Sequence, residues 1–330
     1  TRLVPAPPPM LATMPDKPKG ATWAEPATVV DKMTFRVDGG GYLPSGSEQV
    51  FVVPAHGGTP RQLTSGDFPI SGAIAWSPDS QSIIFSSNRR DDAEYHPRQS
   101  DLFAAALPTG QITPITDTAG PEGHPVVSPN GRYLAYTQTA DIRQGYNGAK
   151  LTIRDLTTSE SRSLTPDFDR SVSDIQWSKD SKNLWISYTD LGVVRVAKID
   201  LRGTLRQTDV VVGGTAIGRP YTSGSFSIGG KGRLAYTLGR DDRPADVALM
   251  RPGKTPLKLT DLNGDLMGQR EMARAERITW PSSHDAMMIE GWIMKPPGFD
   301  PTKSYPMILE IHGGPHSAYG PNYSTEAQLF

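Results

Sequence analysis

The chain has 330 residues, a formal net charge of −1, 36% hydrophobic residues and no cysteine. The charge gives no basis for binding nucleic acid or acidic lipid, and no apolar run reaches the roughly 18 residues of a membrane helix. Without cysteine, the segment has no disulfide, thiolate nucleophile or Cys-ligated metal. We expect a soluble protein of up to two domains, cytoplasmic or periplasmic, with the compartment left open.

Residues 1–27 are rich in proline, including Pro7-Pro8-Pro9, and predict an extended connector or an exposed loop. The chain starts at Thr1, and Ser324–Phe330 has the pattern of a helix start with no stop signal after it. We therefore expect a polypeptide cut at its C-terminal end, with a cut at both ends as the alternative.

A segment recurs at intervals of 51, 50 and 51 residues, measured between Trp76, Val127, Trp177 and Ile228. Each copy has a short apolar strand, a polar turn such as Ser77–Ser80, and a strand rich in β-branched and aromatic residues. A third and a fourth strand follow. The fourth ends at a Leu-Thr or Ile-Thr pair: Leu63-Thr64, Ile115-Thr116, Leu164-Thr165 and Leu259-Thr260.

Four strands in about fifty residues predict the blade of a β-propeller. A β-sandwich with accidental similarity between strands is the alternative. An incomplete unit precedes Trp76, with inner strands at Val29–Val37 and Gln49–Val53 and an outer strand at Gly57–Thr64. The sequence therefore predicts a mainly β fold with about five visible blades over residues 28–272, either a closed five-bladed ring or part of a larger ring. The connector at 1–27 could equally be a loop of an upstream blade.

The sequence pattern changes near residue 272. Strands are predicted at Glu276–Trp280 and Met287–Lys295, followed by a largely apolar segment at Met307–Ile311 that is predicted to be an interior strand and leads into a glycine-rich loop. This order is typical of the opening of an α/β sheet. We therefore expect residues 273–330 to be the first part of an α/β-hydrolase domain.

The loop after Met307–Ile311 reads His312-Gly313-Gly314-Pro315. A strand ending in His-Gly-Gly resembles the oxyanion loop of α/β hydrolases, in which a backbone N–H stabilises the developing alkoxide. We predict that Gly314 supplies this N–H, with Gly313 as the alternative. His312 is predicted to steady the loop rather than to shuttle protons, and Pro315 to stiffen its exit.

Glu290–Phe299 and Tyr305–Tyr319 resemble the opening of the catalytic domain in the acylaminoacyl-peptidase branch of the prolyl oligopeptidase family. Ala55–Gly66, Ala75–Asp79 and Ser87–Arg90 resemble that branch's propeller, and the resemblance runs from about Trp23 onward. It implies a serine peptidase for short peptides, of acylaminoacyl- or dipeptidyl-peptidase type, whose propeller gates access to a Ser-Asp-His triad.

The chain contains no Gly-x-Ser-x-Gly nucleophile segment. We therefore expect the triad to lie beyond Phe330, in a C-terminal remainder of the hydrolase domain, and this segment alone to be inactive. Two other functions stay open: a propeller that only binds a protein partner, and an esterase with a β-propeller cap.

Two charged loops are candidate substrate contacts, one with Arg89 and Arg90 and the other with Arg240; the alternative is that both are solvated surface. The six histidines show no metal-ligand spacing, so neither a metal nor a cofactor is predicted. The predicted partners are short peptides and the remaining hydrolase domain, with a homo-oligomer left open.

Overall fold

The computed structural model describes residues 2–3, 16–22, 30–44, 46–140, 147–314 and 316–330. The polypeptide divides into two compact units, Thr1–Pro125 and Val126–Phe330. Most of the predicted connector, including Pro7-Pro8-Pro9, lies outside the described residues. The same is true of Trp23 and of Pro315.

The described part of the chain before Pro69 forms two-residue strands that pair as β1 with β4, β2 with β3 and β5 with β6. They are β1 (Arg2–Leu3), β2 (Arg36–Val37), β3 (Gly41–Tyr42), β4 (Ser47–Glu48), β5 (Phe51–Val52) and β6 (Arg61–Gln62). The incomplete unit predicted before Trp76 is therefore a set of strand pairs and not a four-stranded sheet. Gly39–Gly41, Pro44 and Pro54 interrupt its strands, since proline cannot donate to a ladder and glycine weakens it.

Four four-stranded sheets follow, and in each the strands are neighbours in chain order. Their strands are β7 to β10 (Ile70–Trp76, Ser82–Ser87, Asp101–Ala106, Ile112–Pro114), β11 to β14 (Glu122–Val127, Tyr133–Gln138, Lys150–Asp155, Ser161–Ser163), β15 to β18 (Val172–Trp177, Asn183–Asp190, Val193–Asp200, Leu205–Val212) and β19 to β22 (Phe226–Ile228, Leu234–Arg240, Arg243–Met250, Leu257–Lys258).

Trp76, Val127, Trp177 and Ile228 each occupy the last position of the first strand in their sheet. The sequence repeat is thus a structural repeat of one antiparallel sheet, and the predicted blade architecture is confirmed.

In three of the four sheets, the turn after the first strand is built around an aspartate or an asparagine. The Ser178 hydroxyl donates to Asp180 Oδ1 (2.7 Å), which also accepts the backbone N–H of Lys182 (3.1 Å). The backbone N–H of Asn183 donates to Ser178 Oγ (3.0 Å), and Ser181 has a positive φ of 58°. Together these bonds satisfy the backbone of a tight turn, as short polar side chains do. The same three bonds recur in Ser77–Ser82 and Ser128–Tyr133.

The Leu-Thr and Ile-Thr pairs follow directly after β6, β10, β14 and β22, and each threonine hydroxyl accepts a backbone N–H from an adjacent part of the chain. Leu164 N–H donates to the Leu151 carbonyl oxygen (2.7 Å), while the Thr165 hydroxyl accepts the Leu151 N–H (2.8 Å). The threonine side chain thus accepts a backbone N–H that would otherwise have no hydrogen-bond partner. The same hydroxyl acceptor occurs at Thr64, Thr116 and Thr260, whose donors are the N–H groups of Val50, Leu102 and Val247.

Consecutive sheets of the second unit are joined by side chains from β15. Trp177 stacks on Tyr133 with ring centroids 6.2 Å apart, and its indole N–H donates to the Val126 carbonyl oxygen (3.0 Å). Gln176 reaches the next sheet, donating to the Phe226 carbonyl oxygen (2.7 Å) and accepting the Ile228 N–H (3.0 Å). Strand β15 therefore supplies both apolar packing and polar links to its neighbouring sheets.

Three buried apolar clusters hold the sheets. One lies in the first unit, around Phe85 and Ile83. The other two lie in the second unit, around Leu184 and Ile186 and around Leu234 and Phe226.

The chain after the last sheet contains α1 (Gly264–Met267), the hairpin of β23 (Ala275–Pro281) and β24 (Met288–Met294), and α2 (Thr325–Leu329). The hairpin confirms both strands predicted after residue 272. Helix α2 confirms the predicted helix start, and its N-cap Ser324 accepts the Ala327 N–H (3.1 Å). Across the part of the chain that the structure describes, no helix is long and apolar enough to span a membrane.

The predicted interior strand at Met307–Ile311 is wrong. The segment belongs to no strand, and Met307 and Leu309 are 81% and 75% exposed. A strand requires a hydrogen-bonded neighbour and burial requires covering layers. The described residues provide neither to this segment.

Candidate active site

The His-Gly-Gly loop lies against a segment of the propeller that connects β18 to β19. The Gly313 N–H donates to the Tyr221 hydroxyl oxygen (3.3 Å). The His312 ring packs edge-on against Tyr319, with centroids 5.6 Å apart, and its Nδ1 lies 3.2 Å from the Gly313 carbonyl oxygen. This packing agrees with a supporting role for His312, which stays a prediction.

Gly314 occupies a backbone conformation that favours glycine, with φ of +137°. A Cβ added there would lie 2.8 Å from Ser317 Oγ and 3.0 Å from the His316 nitrogen. Among the described residues, the Gly314 N–H makes no backbone hydrogen bond, whereas the neighbouring Gly313 N–H is already bonded. Of the two predicted oxyanion donors, Gly314 is therefore the one left free to bind a ligand.

Two tyrosines and a glutamate form the wall behind the loop. The rings of Tyr221 and Tyr319 meet edge to face, with centroids 4.7 Å apart. The Tyr319 hydroxyl donates to Glu310 Oε1 (2.8 Å). Burial, reinforced by this bond to a carboxylate, raises the pKa of Tyr319 well above its usual range, so the hydroxyl stays protonated.

The clasp, defined as residues 217–222, pairs with residues 318–326. Thr222 N–H donates to the Ala318 carbonyl oxygen (3.1 Å), and Gly320 N–H to that of Pro220 (3.0 Å). At the far end, the Thr325 N–H donates to the Ile217 carbonyl oxygen (2.8 Å).

An arginine of the clasp adds ion pairs to these backbone bonds. Arg219 lies 2.9 Å from a carboxylate oxygen of Glu326 and 3.4 Å from one of Glu310. The clasp therefore holds the polypeptide on both sides of α2's N-cap and next to the His-Gly-Gly loop.

Sequence reasoning missed the clasp because its partners are about one hundred positions away in the chain. The bond from Gly313 to Tyr221 spans 92 positions, for which no local pattern exists. One signal was available: the connection from Val212 to Phe226 is longer than the corresponding connections between earlier sheets. Long ordered loops in compact domains are commonly functional.

The predicted contacts Arg89 and Arg90 line an open cavity of about 540 Å³ in the first unit. The Arg89 guanidinium lies 4.5 Å from the Phe68 ring centroid, and burial lowers its pKa. Burial raises the pKa of Asp101. The cavity is lined by Arg89, Arg90, Asp91, Asp92, Asp101, Phe103 and Asp117, an excess of carboxylates that favours a cationic group over an anionic one. Substrate contact by Arg89 or Arg90 stays a prediction.

The predicted contact Arg240 belongs to an ion-pair cluster at the β20–β21 turn. Its Nε lies 3.1 Å from Asp242 Oδ1, and Asp242 also pairs with Arg274. The adjacent Asp241 is buried, pairs with Arg274 (3.0 Å) and accepts the Ala275 N–H (2.8 Å). These contacts attach the last blade to the start of β23. Arg240 is therefore part of an ion-pair cluster with a structural role. That it contacts substrate stays a prediction.

Within the described ranges, no group of three or more histidine or acidic side chains is arranged to hold a metal ion.

Sequence comparison matches residues 40–141 to the family profile described as the dipeptidyl peptidase IV N-terminal region. An uncharacterized peptidase of Bacillus subtilis is 26% identical over 85% of this chain and 56% of its own length. Dipeptidyl-peptidase 5 of Porphyromonas gingivalis is 26% identical over 74% of this chain and 35% of its own length. The chain thus spans about a third to just over half of these relatives.

Structure comparison finds the fold of an acylaminoacyl peptidase from Pyrococcus horikoshii, with a TM-score of 0.71 and 19% identity over 93% of this chain and 45% of that one. A crystal structure described as a putative dipeptidyl aminopeptidase IV from Bacteroides ovatus gives a TM-score of 0.59 and 18% identity, over 86% of this chain and 42% of that one. The relatives in sequence are named as peptidases, and the neighbours in structure share the fold of this chain, which is similar to the prolyl oligopeptidase family of serine peptidases.

Proposed function

We propose that the chain is the propeller and the oxyanion-loop region of a serine peptidase for short peptides, of acylaminoacyl- or dipeptidyl-peptidase type. Under this proposal residues 28–272 form the propeller that restricts access, and residues 273–330 begin the peptidase domain. The nucleophile, acid and base come from polypeptide outside these 330 residues, which contain no Gly-x-Ser-x-Gly segment.

The observation that carries the proposal is the hydrogen bonding of the backbone N–H groups of Gly313 and Gly314. Gly313 N–H is bonded to Tyr221, while that of Gly314 has no backbone acceptor among the described residues. A fixed donor beside a free one suits an oxyanion site, because the free N–H is already oriented when the alkoxide forms. Attack by a serine on a peptide carbonyl produces that alkoxide, which returns to an acyl group as the amine leaves.

The first experiment compares the full-length protein with the isolated 330-residue chain. Full-length protein should hydrolyse acyl-peptide or dipeptide anilides and be labelled on serine by a fluorophosphonate. The isolated chain should do neither. Cleavage of simple esters but not of peptide anilides would favour the esterase alternative, and labelling of a serine within the isolated chain would refute the assignment of the nucleophile.

The second experiment displaces the donor by Gly314→Ala in the full-length protein, because the added Cβ would clash with Ser317 Oγ (2.8 Å) at a φ of +137°. A hundredfold or larger fall in kcat with little change in KM is expected, since such donors act mainly in the transition state. Gly298→Ala is the matched control: Gly298 also has a positive φ, of +70°, but a Cβ there meets open space. Normal kcat in Gly314→Ala would remove the loop from the mechanism.

A further inference from the structure

We infer that Tyr221, a propeller residue, is the positioning residue that sets the direction of the Gly314 N–H in the His-Gly-Gly loop. This inference rests on the proposed function for its catalytic consequence. Its structural content rests on the contacts of the clasp alone.

The loop needs an external tether because its two glycines have little conformational preference of their own. The direction of the Gly314 N–H is set by the dihedral angles of Gly313 and the plane of the peptide between them. Two contacts restrain Gly313 among the described residues: its N–H donates to the Tyr221 hydroxyl (3.3 Å), and its carbonyl oxygen lies 3.2 Å from His312 Nδ1. His312 is the adjacent residue of the same loop, so Tyr221 is the contact that ties Gly313 to the propeller, and its loss would loosen the following N–H.

Tyr221 can restrain the loop because several contacts fix its own position. Its ring packs against Tyr319, with which it also forms an isolated antiparallel bridge. The next residue, Thr222, is hydrogen bonded to Ala318. Tyr319 is fixed in turn by its bond to Glu310, and Glu310 lies 3.4 Å from Arg219 of the clasp. The tether therefore connects the loop to a rigid blade junction and not to another flexible segment.

The test substitutes Tyr221→Phe in the full-length protein. Phenylalanine keeps the ring on Tyr319 and removes only the hydroxyl acceptor. Tyr305→Phe is the matched control, because the Tyr305 hydroxyl also accepts a backbone N–H, that of Asp300 (3.0 Å), at an exposed site in the same region. Each variant is assayed for kcat and KM with a peptide anilide, and for amide hydrogen exchange in the peptide that contains Gly313 and Gly314.

We expect Tyr221→Phe to lower kcat about fivefold with KM unchanged and to speed exchange of the loop amides about fivefold, the effect of one lost hydrogen bond. Tyr305→Phe should change neither quantity. Unchanged exchange in Tyr221→Phe, or a rise in KM at constant kcat, would overturn the positioning role. If the unsubstituted protein shows no peptidase activity, the proposed function fails, while the exchange comparison still decides the role of Tyr221.

Discussion

The threonine hydroxyl that follows the last strand of a sheet, such as that of Thr165 after β14, should stabilise the fold more than its position at a strand end suggests. Thr165→Val preserves the shape of the side chain and removes the acceptor of the Leu151 N–H. Thr165 is 3% exposed and Leu151 is fully buried, so water cannot replace the lost partner. A buried donor left without a partner costs about 1–3 kcal/mol, compared with about 1 kcal/mol for an average hydrogen bond.

Amide exchange at Leu151 measures this cost locally. A loss of about 1–3 kcal/mol in the free energy of opening should speed exchange of that amide by roughly 5- to 150-fold. Urea denaturation followed by tryptophan fluorescence should show a lower midpoint with an unchanged slope.

Two controls separate the hydrogen bond from other effects. Thr165→Ser keeps the acceptor and should retain most of the protection at Leu151. Thr109→Val removes a similar acceptor, which receives the Gln111 N–H (3.2 Å) at an exposed turn, and should cost less than about 0.5 kcal/mol. Equal effects of Thr165→Val and Thr109→Val would refute the reasoning, because burial would then not decide the cost.

Four further substitutions test other parts of the chain by urea denaturation. Ser80→Gly should stabilise by about 0.5–1 kcal/mol, since Ser80 has a φ of 58°, whereas Ser181→Gly should destabilise because Ser181 Oγ also accepts the Asn130 N–H (3.0 Å). Asp101→Asn should stabilise at pH 7: burial raises the folded-state pKa of Asp101, so its contribution to stability is lost as pH rises through that value. The difference from the unsubstituted protein should vanish below the ordinary pKa of 3.8, and a difference that grows at acid pH would contradict it. Gly192→Ala would place a Cβ 2.5 Å from an indole carbon at a φ of +75° and should cost about 1–3 kcal/mol; an unchanged midpoint would show that the contact is easily relieved.

The blades could be predicted from sequence because their determinants are local. The aspartate turns, the alternation of the strands and the closing threonines lie within one fifty-residue repeat, and each copy supports the reading of the others. Residues at equivalent positions of the repeat nevertheless differ in burial: Trp177 is 9% exposed and Trp76 is 53% exposed. Trp177 packs on Tyr133 of a complete four-stranded sheet, whereas the described residues before Pro69 form short strand pairs.

The candidate site was only partly predictable. The His-Gly-Gly motif predicted the loop and Gly314 as its donor, with Gly313 as the alternative, but not the hydrogen bond that engages the Gly313 N–H, because its acceptor Tyr221 lies 92 positions away. The interior strand at Met307–Ile311 was predicted from hydrophobicity alone and is wrong. A largely apolar segment becomes an interior strand only where neighbouring strands and covering layers exist. Arg240 was predicted as a loop charge. Its partner Asp242 is close in sequence, but the ion pair that Asp242 also makes with Arg274, 32 positions away, could not be inferred from the neighbouring residues.

The clasp also has a consequence for how the chain is made. Each blade can form from residues that are close together in the chain, but residues 217–222 find their partners at 318–326. At a synthesis rate of about 5–20 residues per second, the clasp waits roughly 5–20 s on the ribosome before those partners exist. During that interval Arg219 and Tyr221 are exposed on an otherwise finished blade junction, available to chaperones and to incorrect partners alike. Slow translation of the region after residue 222 would lengthen this vulnerable period, and rapid translation would shorten it.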